Sequence, residues 1–151
     1  MAITNGYATL AQVKAAARIS DTVDDDLLEL SIESASRMID QHCGRRFFTD
    51  GTETRVYVAH HNYTVDIDDV TAATIVLRTS DDLDGVFDTE WAASDYQREP
   101  LNNRSNGVEV PTTRLRAVGE YLFPIGWHPT DAGEASVQVT GVFGFSAVPT
   151  D

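Results

Sequence analysis

The hydrophobic pattern of the chain changes at Gly44, and that change limits the folds open to it. Before Gly44, apolar residues recur at helical spacing from Leu28 to Ile39, and the glycine stands where a helix commonly ends. After it, short β-branched segments are separated by turn-rich sequence. Helices that precede strands predict an α+β fold, an N-terminal helical hairpin followed by a small, mainly antiparallel β-sheet domain.

The segment before Gly44 is predicted to contain two helices. Thr9 and Gln12 form a capping box at the start of the first helix, and Thr22 is the expected N-cap of the second. The aspartates at 24–26 then lie in the first turn, where the helix dipole favours negative charge. We interpret this run as a helix start rather than a metal site. Cys43, the single cysteine, is expected to be a small buried side chain near the helix end.

Six segments after Gly44 carry the strand pattern: 53–59, 63–67, 73–78, 107–110, 114–118 and 135–141. The Pro- and Gly-rich stretch at 121–134 is predicted to be an ordered loop. The 151 residues suffice for one core, and no linker composition divides them. We therefore predict one domain over residues 1–151, with a helical part (1–46) and a β-rich part (47–151).

The formal net charge of −13 restricts the functions open to the chain. A protein that grips nucleic acid over a broad surface needs basic residues, and here 24 acidic residues stand against 11 basic ones. The sequence starts without the pattern of a signal peptide, and no stretch approaches the roughly 20 apolar residues of a membrane helix. We expect a protein made in the cytoplasm. The acidic balance does not exclude a protein that DNA must pass without sticking.

The sequence offers no motif for catalysis, a cofactor or a metal. The segment 80–91 resembles a calcium loop in part, but Trp91 stands where the site needs a bidentate glutamate. His60 and His61 are adjacent, and adjacent strand residues point to opposite faces, which makes them a poor chelating pair. A phosphate-binding glycine loop and a G-x-S-x-G motif are missing. We predict no enzymatic activity and no cofactor.

Short motifs in a fixed order run along nearly the whole chain. In the helical part they consist of Tyr7, Thr9, Val13, Lys14, Asp26, Leu27, Leu28, Ala35, Ser36, Ile39, Asp40, Gly44, Arg45 and Phe47. In the β-rich part they consist of Asp68, Asp69, Trp91, Asp95, Tyr96, Pro100, Val139, Gly141, Gly144, Phe145, Val148 and Pro149. This set resembles the head–tail connector proteins of long-tailed bacteriophages, also called head-completion or adaptor proteins.

The resemblance implies a structural virion protein at the head–tail junction. Such adaptors form a ring, usually of twelve copies, under the portal protein, extend the DNA channel and meet the stopper or tail-completion protein. Family members usually continue past the Val148–Pro149 motif with a further helix, so contacts made through that helix are not carried over. A small β-rich tail or receptor-binding component remains the alternative, with the aromatic residues of 121–129 as its binding platform.

A ring subunit needs adhesive surfaces, and one basic and aromatic group stands out in this acidic chain. We predict a partner interface at Arg45, Arg46, Phe48 and Trp127, because arginine and aromatic side chains are favoured at interface centres. At least one of Phe47 and Phe48 is expected to pack in the core where the helices meet the sheet.

The acidic runs predict a lining for the DNA channel, because carboxylates repel the phosphates of passing DNA. The candidates are Asp68, Asp69, Asp81, Asp82 and Asp84, and the run at 24–26 is a further one. Ordinary solvated loops on the outer wall are the alternative interpretation of each run.

Overall fold

The computed structural model describes residues 3–71, 75–102, 104–105, 108–126 and 134–146. Within these ranges two helices precede all the strands, so the predicted α+β order is confirmed. The helices are α1 (Leu10–Ala17) and α2 (Asp25–Cys43). The strands are β1 (Thr52–Tyr57), β2 (Thr64–Val70), β3 (Val76–Thr79), β4 (Thr89–Trp91), β5 (Tyr96–Glu99), β6 (Arg104–Ser105), β7 (Val108–Glu109), β8 (Thr112–Ala117) and β9 (Val137–Val142).

The ends of the helices follow local sequence rules, with one exception. The Thr9 hydroxyl accepts a hydrogen bond from the Gln12 N–H at 3.2 Å, and the Gln12 side chain accepts one from the Thr9 N–H at 2.8 Å, so the capping box is confirmed. At the end of α2, Gly44 has φ +62°, a left-handed conformation that glycine adopts easily.

The predicted N-cap of α2 was wrong. Asp24 occupies that position instead of Thr22, and its side chain makes no capping hydrogen bond. The Val23 N–H donates to the Asp21 carboxylate at 3.1 Å. This local turn involves residues 21–23, so Thr22 lies two residues before the N-cap position of the helix.

The β-rich part consists of antiparallel sheets. The larger sheet has the order β1-β9-β3-β4, the second has the order β2-β8-β5, and β6 and β7 form a separate hairpin. A bridge between Val70 and Phe143 connects the two larger sheets. The registers define a proximal end, where Thr52 pairs with Val142 next to the end of α2, and a distal end, where Tyr57 pairs with Val137.

Strands β4, β5 and β6 were not predicted. β4 has three residues and β6 has two, too few for a recognisable alternation. β5 has the polar sequence YQRE and lies at the edge of its sheet, so its pairing with β8 decides its conformation more than its own composition does.

The core joins the inner faces of the two larger sheets. Trp91 stacks on Phe123 with ring centroids 4.8 Å apart, and its Nε1 donates to the Thr79 hydroxyl at 3.1 Å. Phe123 is fully buried although it belongs to the predicted loop, of which 121–126 are described and contain no helix or strand. The rest of that loop up to residue 133 lies outside the described residues.

The two helices bury little of their surface. α1 has no buried residue, and α2 buries only Ile32 and Ser36. The prediction for Cys43 was wrong, since its side chain is exposed. Residues 3–9 cover the inner face of α2 only as far as Asp40, so the last turn of the helix lies in solvent. Neither helix has the length and apolar character of a membrane span.

Candidate interaction site at the helix–sheet junction

Residues 45–48 join α2 to the sheets, and a backbone contact fixes this junction. A Cβ atom on Gly144 would lie 1.9 Å from the Phe48 carbonyl oxygen, and the residue has φ +106°. The Gly144 N–H also donates to the Asp69 carbonyl at 2.7 Å. Only glycine allows the two chain segments to come this close.

The two phenylalanines of the junction pack against their own chain. Phe47 packs against Phe145 at 5.0 Å and meets Tyr7 edge to face at 5.9 Å. Phe48 has the guanidinium groups of Arg37 and Arg46 over its ring, at 4.4 and 5.2 Å. Both rings are half-buried and neither belongs to the core cluster, so they line the junction rather than fill the interior.

Tyr7 joins the first residues of the chain to the end of α2, a role that its sequence did not reveal. Its hydroxyl donates to the Asp40 carboxylate and accepts from the Phe47 N–H at 3.0 Å. Burial raises the pKa of Tyr7 to about 12, and the hydrogen bond to Asp40 contributes to the increase. The contact lies 33 residues apart in sequence, so no local pattern could have indicated it.

We expect alkaline pH to weaken this contact. Below the ordinary tyrosine pKa of 10, folded and unfolded chains both keep the phenol proton. From pH 10 to about 12 the unfolded chain loses it first, so the free energy of unfolding falls as pH rises. Tyr7→Phe should cost about 1–2 kcal/mol at pH 8 and reduce this slope. Urea denaturation at pH 8 and pH 11 measures both, and the exposed Tyr63→Phe is the control; equal slopes would contradict the role of Tyr7.

Arg45 and Arg46, the predicted interface arginines, form ion pairs within the chain. Arg45 donates Nε and Nη2 to Asp69 at 2.8 and 2.5 Å, and the Asp69 side chain is only 9% exposed. This hydrogen bonding raises the pKa of Arg45 further. Arg46 pairs with Glu53 at 2.5 Å and reaches Asp50 at 3.5 Å. The arginines therefore hold the junction together, and their contact with a partner stays a prediction.

An open cleft of about 670 Å³ lies beside these pairs, between the end of α2 and the proximal end of the sheets. Its charged lining is balanced, with three arginines and three aspartates: Asp40, Arg45, Arg46, Arg55, Asp68 and Asp69. Arg55 bonds Glu53 and Asp68, at 2.7 and 2.8 Å, and lies over the Phe143 ring at 4.1 Å. The pKa of Glu53 is lowered by its hydrogen bonds to Arg46 and Arg55. We call this surface the junction cleft.

The structure separates the five predicted channel residues into two groups. Asp68 and Asp69 lie on β2 and are each paired with an arginine, which offsets their charge. Asp81, Asp82 and Asp84 follow β3 at the distal end of the sheets.

The distal aspartates shape their own turn. Asp81 accepts hydrogen bonds from the hydroxyls of Thr79 and Thr89, both at 2.8 Å. Asp84 accepts from the Ser80 hydroxyl at 3.1 Å and from the Val86 N–H at 2.8 Å. Within the described ranges no arginine or lysine pairs with this group, so it keeps its negative charge.

Trp127, the fourth predicted interface residue, lies outside the residues that the structure describes. Groups of three or more potential metal ligands are absent from the described parts of the chain. The junction cleft is open and lined by ion pairs, a surface that suits contact with another protein more than it suits a small apolar ligand.

Comparison with known proteins gives one match. A sequence profile of Phage gp6-like head-tail connector proteins matches residues 7–77, which include both helices, the 45–48 connection and the chain as far as β3. No curated protein and no solved structure matches the chain. Residues 7–77, just under half of the 151 residues, are therefore similar to the phage gp6-like head-tail connector proteins, the family whose motifs the sequence resembles.

Proposed function

We propose that the protein is the subunit of an adaptor ring that joins the portal to the stopper or tail-completion protein. Twelve copies extend the DNA channel below the portal, and residues 1–151 act as a single connector domain. The family match over residues 7–77 is the observation that carries this proposal. The junction cleft supports it, because it offers three arginine side chains to a partner on an otherwise acidic chain.

In this proposal the junction cleft contacts a neighbouring copy or the portal. Arg45 is still 43% exposed while it pairs with Asp69, so one side of its guanidinium remains accessible. The guanidinium of the adjacent Arg46 lies over the Phe48 ring. Trp127 is included in the proposed interface because of the sequence alone. Arginine stacked on aromatic rings supplies the kind of contact found at interface centres.

The channel lining is the second element of the proposal. Among the predicted residues, Asp81, Asp82 and Asp84 are the better candidates, because arginines already offset the charge of Asp68 and Asp69. An acidic lining keeps a hydrated gap around the DNA, since each phosphate carries a negative charge.

We expect the protein to bind duplex DNA weakly or not at all. With a formal charge of −13, each subunit repels the phosphate backbone, and the arginines on the surface are largely used in ion pairs. A gel-shift assay at low salt should leave the DNA unshifted at micromolar protein, both for free subunits and for portals that carry the ring. A tight complex that dissolves as salt is added would contradict the proposed channel mechanism.

Electron microscopy of the protein mixed with its portal tests the ring directly. We expect free subunits to be mostly monomeric at low salt, because like charges oppose self-assembly, and to form twelve-fold rings seated on the portal. Light scattering that shows stable rings of free subunits would contradict the first expectation. Portals that stay bare while the protein binds glycans would support the receptor-binding alternative instead.

A further inference from the structure

The outer face of α2 is exposed and carries no charged side chain. Leu27, Ser31, Ser34 and Met38 recur at spacings of three and four residues, so they share one face of the helix. All four are exposed, and Leu27 and Met38 retain 62% and 68% of their accessible surface. Leu30, beside this row, is 50% exposed. A soluble helix usually turns such a row of side chains toward a core.

The charged residues of α2 lie elsewhere and serve contacts within the chain. Glu33 accepts the N–H groups of Thr4 and Asn5, at 2.5 and 3.0 Å. Arg37 donates to the Asn5 carbonyl at 2.9 Å and pairs with Asp40 at 3.1 Å. The outer face of α2 therefore stays available while the inner face is occupied.

α1 has a flat face of small side chains, in contrast to the protruding Leu27 and Met38 on α2. Ala11 and Ala15 are four residues apart and exposed on one face of α1, where their small methyl groups leave shallow depressions along the helix. Arg18 follows at the end of α1, in a left-handed conformation with φ +58°. Its exposed guanidinium forms no ion pair with any residue that the structure describes.

We propose that, in the ring, the outer face of α2 packs against the alanine face of α1 of the next copy. This inference rests on the proposed ring and assigns one of its subunit contacts. A cyclic ring requires two different, complementary surfaces on each subunit. The protruding Leu27 on α2 and the small Ala11 and Ala15 on α1 satisfy that requirement, since a protruding residue packs into the depression between small ones.

The charge distribution favours a second copy of the same chain as the partner that covers the outer face of α2. Subunits with a formal charge of −13 repel one another, so a stable contact has to use surfaces without net negative charge. The outer face of α2 is such a surface, and Arg18 adds a cation beside the alanine face. The acidic start of α2 in the neighbouring copy, with the exposed Asp24, supplies its complement.

This pairing sets the direction and register of the two helices. If Arg18 of one copy lies against Asp24 of the next, antiparallel helices bring Ala15 opposite Leu27 and Ala11 opposite Ser31, because both helices rise about 1.5 Å per residue. The two helices cover part of the roughly 800 Å² that each partner contributes to a stable interface. The junction cleft and other surfaces supply the remainder.

Disulfide cross-linking of portal-bound rings tests this register. In a Cys43→Ser chain, Ala11→Cys together with Ser31→Cys should give a ladder of covalent multimers after mild oxidation, read on a non-reducing gel. Each single-cysteine chain should stay monomeric. Circular dichroism before oxidation confirms that the variants are folded, and microscopy of the same samples shows whether rings are present.

The possible results test the α1–α2 contact and the adaptor ring separately. A ladder from the double variant alone supports the contact. Rings on the portal without a ladder would overturn the contact and leave the adaptor function intact. Dimers from Ser31→Cys alone would show α2 packed on α2 and would also overturn it. Bare portals would remove the adaptor function and the contact together.

A charge substitution gives an independent readout. Ala11→Glu should reduce the amount of subunit on the portal about tenfold or more, because Ala11 lies opposite Ser31 in this register and the interface would enclose an unpaired carboxylate. Ala16→Glu is the matched control, since Ala16 is also exposed but lies on a different face of α1, and the change in charge is the same. Equal assembly of the two variants would overturn the proposal.

Discussion

Gly144→Ala should lower the free energy of unfolding by about 2–5 kcal/mol. This loss is the sum of backbone strain, because alanine disfavours a positive φ, and of steric overlap with the neighbouring chain segment. The new Cβ would lie 1.9 Å from the Phe48 carbonyl oxygen, which is backbone and cannot rotate away. Adjustment would also disturb the hydrogen bond to the Asp69 carbonyl and the bridge from Phe143 to Val70. Urea denaturation followed by tryptophan fluorescence measures the loss.

Gly85→Ala is the matched control for this substitution. Gly85 has φ +81°, so alanine there carries a similar left-handed cost, but no atom lies within 4 Å of the added Cβ. We expect a loss of about 1 kcal/mol from backbone strain alone. If both variants lost the same stability, the close contact at the junction would have no energetic weight.

Arg45→Glu combined with Arg46→Glu should block the joining of heads to tails and also weaken the subunit. Asp69 would lose both hydrogen bonds from Arg45 and face a second carboxylate while its side chain is 9% exposed. We expect a loss of about 2–3 kcal/mol in the free energy of unfolding. Complementation of a phage that lacks the protein, with counts of infectious particles, measures the assembly defect.

The control has to separate assembly from stability. Arg78→Glu reverses the charge of an exposed pair with Glu90, in which both side chains are about half-exposed, so its cost should stay below about 1 kcal/mol. Arg45→Ala removes the pair without adding a negative charge. If the double variant is folded at the assay temperature and still yields infectious particles, the junction cleft is no partner interface.

The sequence predicted those features that local patterns determine. The capping box at Thr9 and the end of α2 at Gly44 depend on residues within one helical turn, and both are confirmed. The antiparallel sheets follow from short β-branched segments between turns. β5 escaped prediction because its polar sequence becomes a strand only through its partner β8.

The junction depends on contacts between residues far apart in sequence, and this is why its details were missed. The sequence drew attention to Arg45 as a basic residue on an acidic chain, but its partner Asp69 stands 24 residues later. For the same reason the sequence suggested Asp69 as a channel-lining residue without showing that its carboxylate is paired with Arg45. Composition indicates the available charges, whereas the fold decides which of them are neutralised.

The exposed thiol of Cys43 provides an intrinsic position for spectroscopic labelling. The chain has one cysteine, so a nitroxide or fluorophore attaches at a single place without any mutation. That place is the last turn of α2, immediately before the junction cleft. Pulsed electron resonance between labels on portal-bound subunits would measure the separation of neighbouring copies, and a change in label mobility on binding would report whether this end of α2 meets the portal.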